Sequence, residues 1–428
     1  MGQTRPGRSS AFRLAAAAVA ASLYLAPPAA AQQGDVARVH DPCIIKQKDT
    51  YYVFSTGPGI PVRRSADLFK WESAGRVFAE TPAWVKEAVP GARSLWAPDI
   101  SFFNGKYHLY YSASTFGKNR SCIGLATNAT LDPDAADYKW SDEGKVLESV
   151  PDQDDWNAID PNVVLDADGE PWLAFGSFWG GVKLRRLDKE TGKPSAKDTK
   201  LYALARRPSP GAVEAPFIIR HGEYYYLFVS FDSCCRGADS TYRIMVGRSK
   251  ELAGPYEDRD GKAMAEGGGT LILAGHGRCR GPGHNAVLSE GKKDWLVHHF
   301  YDADDRGVAK LQVRPLVWGD DGWPLPGEPL EGPAPEAGDA AKGGLAGEWD
   351  YSVDFGPAER VAFQEGGRLK RKDGAGAWSV EGPALLLRWP RTDDAPERVV
   401  KCVLSEGGRW FVGRGPQGEI VRGRRIKD

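Results

Sequence analysis

The stretch HDPCIIKQKDTYYVF, residues 40–54, decides the fold. In it a polar residue beside proline precedes an apolar segment, a short turn and an aromatic segment. This pattern predicts two antiparallel strands joined by a tight turn. The same order of features returns four more times. The later copies are APDISFFNGKYHLYY (97–111), DPNVVLDADGEPWLAF (160–175), EAPFIIRHGEYYYLF (214–228) and GHNAVLSEGKKDWLVH (283–298).

Repetition of one strand pair is the strongest architectural signal in this chain. Spacings of 58, 61, 54 and 70 residues between anchors fit a four-stranded blade with its loops. The sequence therefore predicts an all-β fold with a five-bladed β-propeller over residues 32–330, whose innermost strands face a common axis. In a β-sandwich, the alternative, strands would recur every 8 to 12 residues or so without such an anchor. The anchors are the polar residues near the start of each copy: Asp41, Asp99, Asp160, Glu214 and His284.

The regions outside the repeats are interpreted from their composition. Residues 1–31 combine early arginines, an apolar run and small residues, which is the pattern of a signal peptide cleaved after Ala31. A membrane anchor would need about 20 apolar residues, and this run is shorter. Residues 331–344 have the composition of a linker, and residues 345–428 that of a small C-terminal β-barrel-like domain. We therefore expect a secreted or periplasmic protein.

Charge and composition limit the classes of binding partner that we expect. The formal net charge is −1, with both signs interspersed, so we expect neither a nucleic-acid nor a membrane partner, and we expect a monomer. The counts of 51 Gly and 14 Trp suit many short strands joined by turns. Flat aromatic side chains also suit sugar rings, although tryptophan is more often part of a core.

The six cysteines, at positions 43, 122, 234, 235, 279 and 402, show no regular spacing that would mark a disulfide framework. Cys234 and Cys235 are adjacent in sequence. A trans peptide holds neighbouring Cα atoms only about 3.8 Å apart, which is below the usual disulfide separation. We therefore expect these two residues to be thiols or to have other partners.

Three of the anchors are carboxylic acids: Asp41, Asp160 and Glu214. Any one of them is as readily a turn cap beside its proline, but several converging on one axis indicate a function. Clustered carboxyl groups raise one another's pKa, so one can stay protonated while another is ionised. Glycoside hydrolysis needs such an acid and base, whereas calcium would need more oxygen ligands than these strand starts supply. His284, alone a typical core histidine, could at this axis hold an ion or orient a carboxylate.

The phrases around these anchors resemble family 43 glycoside hydrolases, and specifically the endo-1,5-α-L-arabinanases, over about residues 36–330. Any one fragment is weak, but their order and spacing together are specific. The fragments are HDP with IIK (40–46), LWAPDI (95–100), STFG leading to IGLAT (114–127), AIDP (158–161), GSFWGG (176–181), VEAPF (213–217), and CCRG before STY (234–242).

The resemblance implies an inverting hydrolase of arabinan and arabino-oligosaccharides. It implies that Asp41 is the general base that activates water, that Glu214 is the general acid, and that Asp160 tunes the pKa of the acid and holds it in place. It also implies that His284 ligates or orients an ion, expected to be calcium, in the central channel. The substrate-binding residues that it implies are Trp96, Phe116, Asn157, Ser177 and Trp179.

Two alternatives stay open at this point. An exo-acting arabinofuranosidase or β-xylosidase of the same fold would need a loop closing one end of the cleft, and the phrases at 114–127 and 234–237 favour the endo form. A non-catalytic sugar-binding propeller would have no need of all three carboxylates. The C-terminal tail is similar to a small β-domain that some family members carry. Cys43 departs from the family pattern, in which a small hydroxyl residue is usual.

Overall fold

The computed structural model describes residues 1–2, 32–333, 344–372, 374–382, 384–391 and 397–426. The predicted signal peptide, apart from residues 1–2, and most of the predicted linker lie outside these residues. In the described part of the chain, no helix is both long enough and apolar enough to cross a bilayer. The fold is almost entirely β, as predicted, and its described helices are one α-helix and three 3-10 helices. These are α1 (Ala83–Ala88), Gly237–Asp239, Met264–Glu266 and Ala303–Asp305.

Five antiparallel sheets follow one another along the chain, one for each predicted repeat. Blade 1 contains β1 (Gln33–Gly34), β2 (Cys43–Gln47), β3 (Thr50–Phe54), β4 (Pro61–Ser65) and β5 (Lys70–Arg76). Blade 2 contains β6 (Trp96–Phe103), β7 (Lys106–Ala113), β8 (Ser121–Asn128) and β9 (Ser141–Ser149). Blade 3 contains β10 (Asn162–Leu165), β11 (Pro171–Phe175), β12 (Val182–Arg186) and β13 (Tyr202–Ala205). Blade 4 contains β14 (Val213–His221), β15 (Tyr224–Phe231), β16 (Arg243–Ser249) and β17 (Thr270–Leu273). Blade 5 contains β18 (Cys279–Glu290), β19 (Lys293–Asp302), β20 (Val308–Trp318) and β21 (Pro324–Pro326).

The blades close into a ring. The first long strand of each blade contacts the first long strand of both neighbouring blades, in the order β2, β6, β10, β14, β18 and back to β2. The N-terminal segment links the first blade to the last. Its strand β1 pairs in parallel with β5 of blade 1, and Ala37 forms a β-bridge with Lys310 of blade 5. This arrangement confirms the predicted five-bladed propeller, with its innermost strands around one axis.

Apolar side chains fill the space between neighbouring blades. Between blades 5 and 1, for example, Trp71 is 1% exposed and packs in one cluster with Val297 and Val313. Similar clusters lie at the other four junctions. Full burial of one large apolar side chain is worth about 1.5–3 kcal/mol, so these layers are the main force that holds the ring together.

One non-glycine residue with a left-handed backbone lies just before each inner strand or within its first six residues. These residues are Asp41 (φ 50°), Ala97 (φ 39°), Asp160 (φ 57°), Ala215 (φ 56°) and His284 (φ 47°). They are the equivalent positions of the repeat, so two of the predicted anchors were wrong. Asp99 lies two residues after its equivalent position, and Glu214 lies one residue before it. The strand pairing shifts register at both places. A register shift moves the acidic residue relative to the repeat, so the residue type alone does not predict the position in the sheet.

These five residues also tie the blades together at one end of the channel. The N–H group of each donates to a side chain of the preceding blade, which satisfies a donor that the kinked strand cannot use in its sheet. The bonds are Ala97 N to Thr56 Oγ1 (2.7 Å), Asp160 N to Ser112 Oγ (3.0 Å), Ala215 N to Asp160 Oδ2 (3.1 Å), His284 N to Ser230 Oγ (2.8 Å) and Asp41 N to His299 Nδ1 (3.1 Å).

A closed eight-stranded barrel follows the propeller, as the prediction of a barrel-like domain required. Phe355, Val412 and Ile420 of this barrel pack against apolar residues of blades 4 and 5, including Trp323. The barrel therefore lies against the side of the propeller. Its strands are β22 (Gly347–Val353), β23 (Glu359–Gln364), β24 (Arg368–Arg371), β25 (Gly374–Glu381), β26 (Ala384–Trp389), β27 (Arg398–Leu404), β28 (Trp410–Arg414) and β29 (Ile420–Arg425).

The prediction for the adjacent cysteines was wrong, because Cys234 and Cys235 are joined in a disulfide. Their Cα atoms are 3.8 Å apart. Cys235 has a left-handed backbone (φ 66°), and this turn brings both sulfur atoms to the same side of the chain. The other four cysteines, Cys43, Cys122, Cys279 and Cys402, are free and buried.

Candidate active site

The three predicted carboxylic acids lie at the same end of the channel. Inner strands begin at this end, with Asp41 just before β2, Asp160 just before β10 and Glu214 at the start of β14. Because the strands of a blade are antiparallel, each second strand ends here, and the loop that follows it forms the rim of the channel mouth. The fold thus brings together residues from blades 1, 3 and 4 that are far apart in sequence.

Asp41 is held by four side chains. Its Oδ2 accepts a hydrogen bond from Thr56 Oγ1 (2.6 Å) and lies 2.8 Å from His40 Nδ1. Its Oδ1 lies 3.1 Å from His284 Nδ1. The backbone N–H of Asp41 donates to His299 Nδ1 (3.1 Å), so that ring nitrogen carries no proton. Asp41 is 8% exposed among these four side chains.

Glu214 has a different kind of environment, made of hydroxyl groups. Ser177 Oγ donates to its Oε2 (2.6 Å), and Tyr242 OH donates to its Oε1 (2.6 Å). Burial and the neighbouring acids Glu214 and Asp160 raise the pKa of Tyr242 well above its usual value, so this phenol keeps its proton. Hydroxyl groups can also accept hydrogen bonds, so this environment suits a carboxyl group that gains and loses a proton.

Asp160 is linked to Glu214 through the backbone. It is 6% exposed, and its Oδ2 accepts the N–H of Ala215, the residue next to Glu214. Asp160 therefore fixes the backbone that carries Glu214.

The surroundings drive the pKa values of the carboxyl groups apart. Burial alone would raise the pKa of Asp41, but the charges and hydrogen bonds of His40 and His284 outweigh it and hold that pKa well below its usual value. Burial raises the pKa of Asp160, and the negative charges of Glu214 and Asp41 add to the rise, against the opposing charge of His284. The site thus holds an ionised carboxylate, Asp41, and a proton on Asp160 beside Glu214. A general base and a general acid require this difference in protonation.

His284 lies where the sequence predicted, at the channel mouth. Burial would lower its pKa, but the charge and hydrogen bond of Asp41 raise it to about 9. Its Nδ1 contacts Asp41, and no described residue hydrogen-bonds or ion-pairs with its Nε2. A calcium ion prefers six to eight or so oxygen ligands, whereas His284 offers one nitrogen and the oxygens of Asp41 already have partners. The described donors thus fit an ion held mostly by water better than one enclosed by protein, and no chemical step is derived through it.

The five predicted substrate-binding residues fall into two groups. Phe116 (79% exposed) and Trp179 (42% exposed) lie in the rim loops of blades 2 and 3. Trp96 is half-buried at the start of β6, where its Nε1 donates to Ser94 Oγ (3.0 Å). Asn157 and Ser177 are buried and have protein partners, since Asn157 Oδ1 accepts from Ser121 Oγ (2.6 Å) and Ser177 binds Glu214. A sugar contact for any of the five stays a prediction.

Several residues of the site were not identified from the sequence. Thr56, Tyr242 and His299 contact the carboxyl groups but follow or belong to second and third strands, where no repeat anchor points to them. Tyr242 is part of the STY phrase and His40 of the HDP phrase, so these phrases were the only available signals. A lone hydroxyl or imidazole does not reveal its partner in the sequence.

Known proteins are similar to this chain in sequence. The model of glycosyl hydrolases family 43 matches residues 36–324. An extracellular exo-α-(1→5)-L-arabinofuranosidase from Cellvibrio japonicus is 46% identical over 297 residues, covering 67% of this chain and 85% of that protein. An extracellular endo-α-(1→5)-L-arabinanase from Bacillus subtilis is 45% identical over 292 residues, covering 67% of this chain and 87% of that protein.

The C-terminal barrel also has a counterpart in a solved structure. The crystal structure of an endo-1,5-α-L-arabinanase from Thermotoga petrophila is 25% identical, with a TM-score of 0.75. The match covers 93% of this chain and all of that one, so it extends beyond the propeller. The fold, the clustered carboxyl groups and these matches together show that the chain is a glycoside hydrolase and belongs to glycosyl hydrolases family 43.

Proposed function

We propose that this enzyme is an inverting endo-hydrolase of α-1,5-linked arabinan. The two relatives described above are named for α-(1→5)-L-arabinose linkages, and each is similar to 67% of this chain. The observation that carries the proposal is the division of the site into an ionised Asp41 with imidazole partners and a hydroxyl-bound Glu214 beside a proton retained on Asp160.

Each carboxyl group has one role in this proposal. Asp41 is the general base that removes a proton from water, since its low pKa keeps it ionised. Glu214 is the general acid that protonates the leaving oxygen of the glycosidic bond. Asp160 retains a proton next to Glu214, because its own pKa is raised, and holds the backbone of Glu214 through Ala215.

The placement of the base and the acid in different blades supports inversion. Asp41 belongs to blade 1 and Glu214 to blade 4, so the base and the acid approach the sugar from different sides of the channel mouth. An inverting pair stands about 6.5–9.5 Å apart, which leaves room for the attacking water. In a retaining enzyme the pair would stand about 5–5.5 Å apart, and one carboxylate would be the nucleophile.

The exposed aromatic side chains of the rim support endo cleavage. Phe116 in blade 2 and Phe178 and Trp179 in blade 3 point into solvent at the site end of the propeller, where they could bind sugar units away from the cleaved bond. An exo enzyme needs binding only on one side of that bond. Similarity alone does not separate the two modes, because relatives of both kinds match this chain about equally well.

Digestion of linear arabinan tests the endo mode. We expect an early loss of viscosity and a spread of short oligomers, and Phe116→Ala should raise KM for the polymer. Phe102→Ala is the matched control, because Phe102 is also an exposed phenylalanine of blade 2 (49%) but lies near the β6–β7 turn at the opposite end. Release of monomer alone from the first minutes would show exo cleavage instead.

We also propose a largely hydrated calcium ion at His284 Nε2, a ring nitrogen with no hydrogen-bond partner among the described residues. The ion takes the place of the Nε2 proton, while Nδ1–H still donates to Asp41 Oδ1. An ion that binds only the folded state stabilises it by mass action. Chelation should therefore lower the melting temperature of the wild type and leave His284→Ala unaffected. If chelation changes neither activity nor melting of the wild type, the ion is absent and His284 acts only on Asp41.

Export from the cytoplasm is part of the proposal. The arginine-rich start and apolar run of residues 1–31 support it, and both relatives described above are named extracellular.

A further inference from the structure

A chain of hydrogen bonds runs from the disulfide loop to Asp41. The backbone N–H of Cys235 donates to Tyr301 OH (2.7 Å). Tyr301 OH lies 2.6 Å from His40 Nε2, and the other ring nitrogen of His40, Nδ1, lies 2.8 Å from Asp41 Oδ2. The His40 ring is stacked on the His299 ring at 4.0 Å, which fixes its plane. Tyr301 has no role in the mechanism described above, and His40 enters it only as a partner of Asp41.

The direction of the protons along this chain can be worked out. The hydroxyl oxygen of Tyr301 accepts the N–H of Cys235, and the ionised carboxylate of Asp41 can only accept hydrogen bonds. His40 Nδ1, 2.8 Å from Asp41 Oδ2, therefore carries the ring proton and donates it. In the neutral ring Nε2 has no proton, so it accepts the hydroxyl proton of Tyr301.

This arrangement distinguishes the two oxygens of Asp41. Oδ2 accepts from both Thr56 and His40, which occupies its two lone pairs. Oδ1 has one close donor, His284 Nδ1, at 3.1 Å, because His299 Nδ1 at 3.7 Å is itself an acceptor. Oδ1 is thus the oxygen with a free lone pair for a water molecule.

We propose that Tyr301 and His40 are positioning residues that lock the Asp41 carboxylate, so that Oδ1 is the atom that receives the proton of the attacking water. This inference rests on the proposed role of Asp41 as general base. Tyr301 acts by holding His40 in the tautomer that donates to Oδ2. Without the Tyr301 hydroxyl, the proton of His40 is free to move to Nε2, and the lone pair of Nδ1 would then face Asp41 Oδ2 and repel it.

Nitrogen NMR of histidine-labelled protein reads this tautomer without substrate. The chain has only 7 histidines, and the His40 signals can be assigned by their loss in His40→Asn. We expect a proton on Nδ1 of His40 in the wild type and on Nε2 in Tyr301→Phe. A wild-type His40 that carries its proton on Nε2, or on both nitrogens, would overturn the proposal, even if Tyr301→Phe failed to fold.

Kinetics on linear arabinan provide the second test. Loss of a residue that orients a catalytic group through its neighbour costs about 10- to 100-fold, so Tyr301→Phe should lower kcat by that factor with KM unchanged. In a His40→Asn background the amide can donate to Asp41 without help from Tyr301. There the same Tyr301→Phe change should cost less than about twofold, because the two residues act as one unit.

Tyr256→Phe is the matched control. Tyr256 is 1% exposed and its hydroxyl bonds to Leu252 O (2.9 Å) in blade 4, so the variant loses an equally buried hydroxyl without touching the site. It should keep wild-type kcat. An equal loss from Tyr301→Phe in both backgrounds, or a change in KM alone, would overturn the positioning role. A wild type without activity on arabinan would instead contradict the proposed function, and the NMR result would then decide the positioning claim alone.

Discussion

At the scale of single residues, the site shows how similar groups acquire different chemistry. Asp41 and Glu214 are both carboxylic acids at the channel mouth, but one faces imidazoles and the other faces hydroxyls. Cationic or N–H donors stabilise the ionised form, and hydroxyls accept either form. The partners, and not the acids themselves, thus decide which group is the base.

Asp160→Asn should change the pH dependence of catalysis. Burial and the neighbouring negative charges raise the pKa of Asp160 to about 8, and an amide has no proton to hold there. The wild type should keep the proton of this carboxyl pair up to about pH 8, so without Asp160 the alkaline limb of kcat/KM should move to lower pH. Profiles of kcat/KM measured from acid to mildly alkaline pH for the wild type and the variant check this shift.

Glu214→Gln provides the comparison for that experiment, because glutamine has no proton to lose. Its turnover should be lower than that of the wild type by a factor of about 10² to 10⁴, and its pH profile should lack the alkaline limb. If Asp160→Asn instead lost activity by one constant factor at every pH, Asp160 would have no influence on the acid.

The sequence revealed the acids but not the groups that tune them. Asp41, Asp160 and Glu214 were found because each lies in a recurring phrase beside proline. Thr56 and Tyr242 could not be found in this way, since their roles depend on which loops meet at the rim. These loops come together only when the ring closes, so their contacts leave no periodic pattern in the sequence.

At the scale of elements, strand order was predictable and strand register was not. Alternating apolar and turn-forming residues identified the first two strands of every blade. The left-handed residue that opens each inner strand is Asp in two blades, Ala in two and His in one, so no residue type marks it. Asp99 and Glu214 were consequently placed one or two positions away from where the sheet puts them.

Counting the free thiols tests the disulfide between Cys234 and Cys235. When the protein is unfolded without reductant, alkylation should label only Cys43, Cys122, Cys279 and Cys402, and with reductant it should label all six cysteines. Intact-mass measurement gives the number of labels. In Cys235→Ser the freed Cys234 should add one label to the unreduced sample. Six labels on the unreduced wild type would show that the pair is not bonded.

At the scale of the whole molecule, five repeats predicted the propeller and a strand-rich tail predicted the barrel. Where the barrel docks could not be predicted, because its contact residues Phe355, Val412 and Ile420 are single apolar positions within ordinary strand patterns. In the described residues, the barrel contacts blades 4 and 5 through the cluster around Trp323 and through β21.

The stereochemistry of cleavage tests the central claim most directly. The claim is that Asp41 activates a water molecule that displaces the leaving group in one step, with Glu214 as the acid. Proton NMR of linear arabinan digests, recorded before mutarotation mixes the anomers, identifies the first product. We predict that β-arabinofuranose ends appear first from the α-linked chain, because single displacement by water inverts the anomeric centre. Appearance of α-arabinofuranose ends first would show retention through a covalent intermediate, and would contradict the role of Asp41 as base.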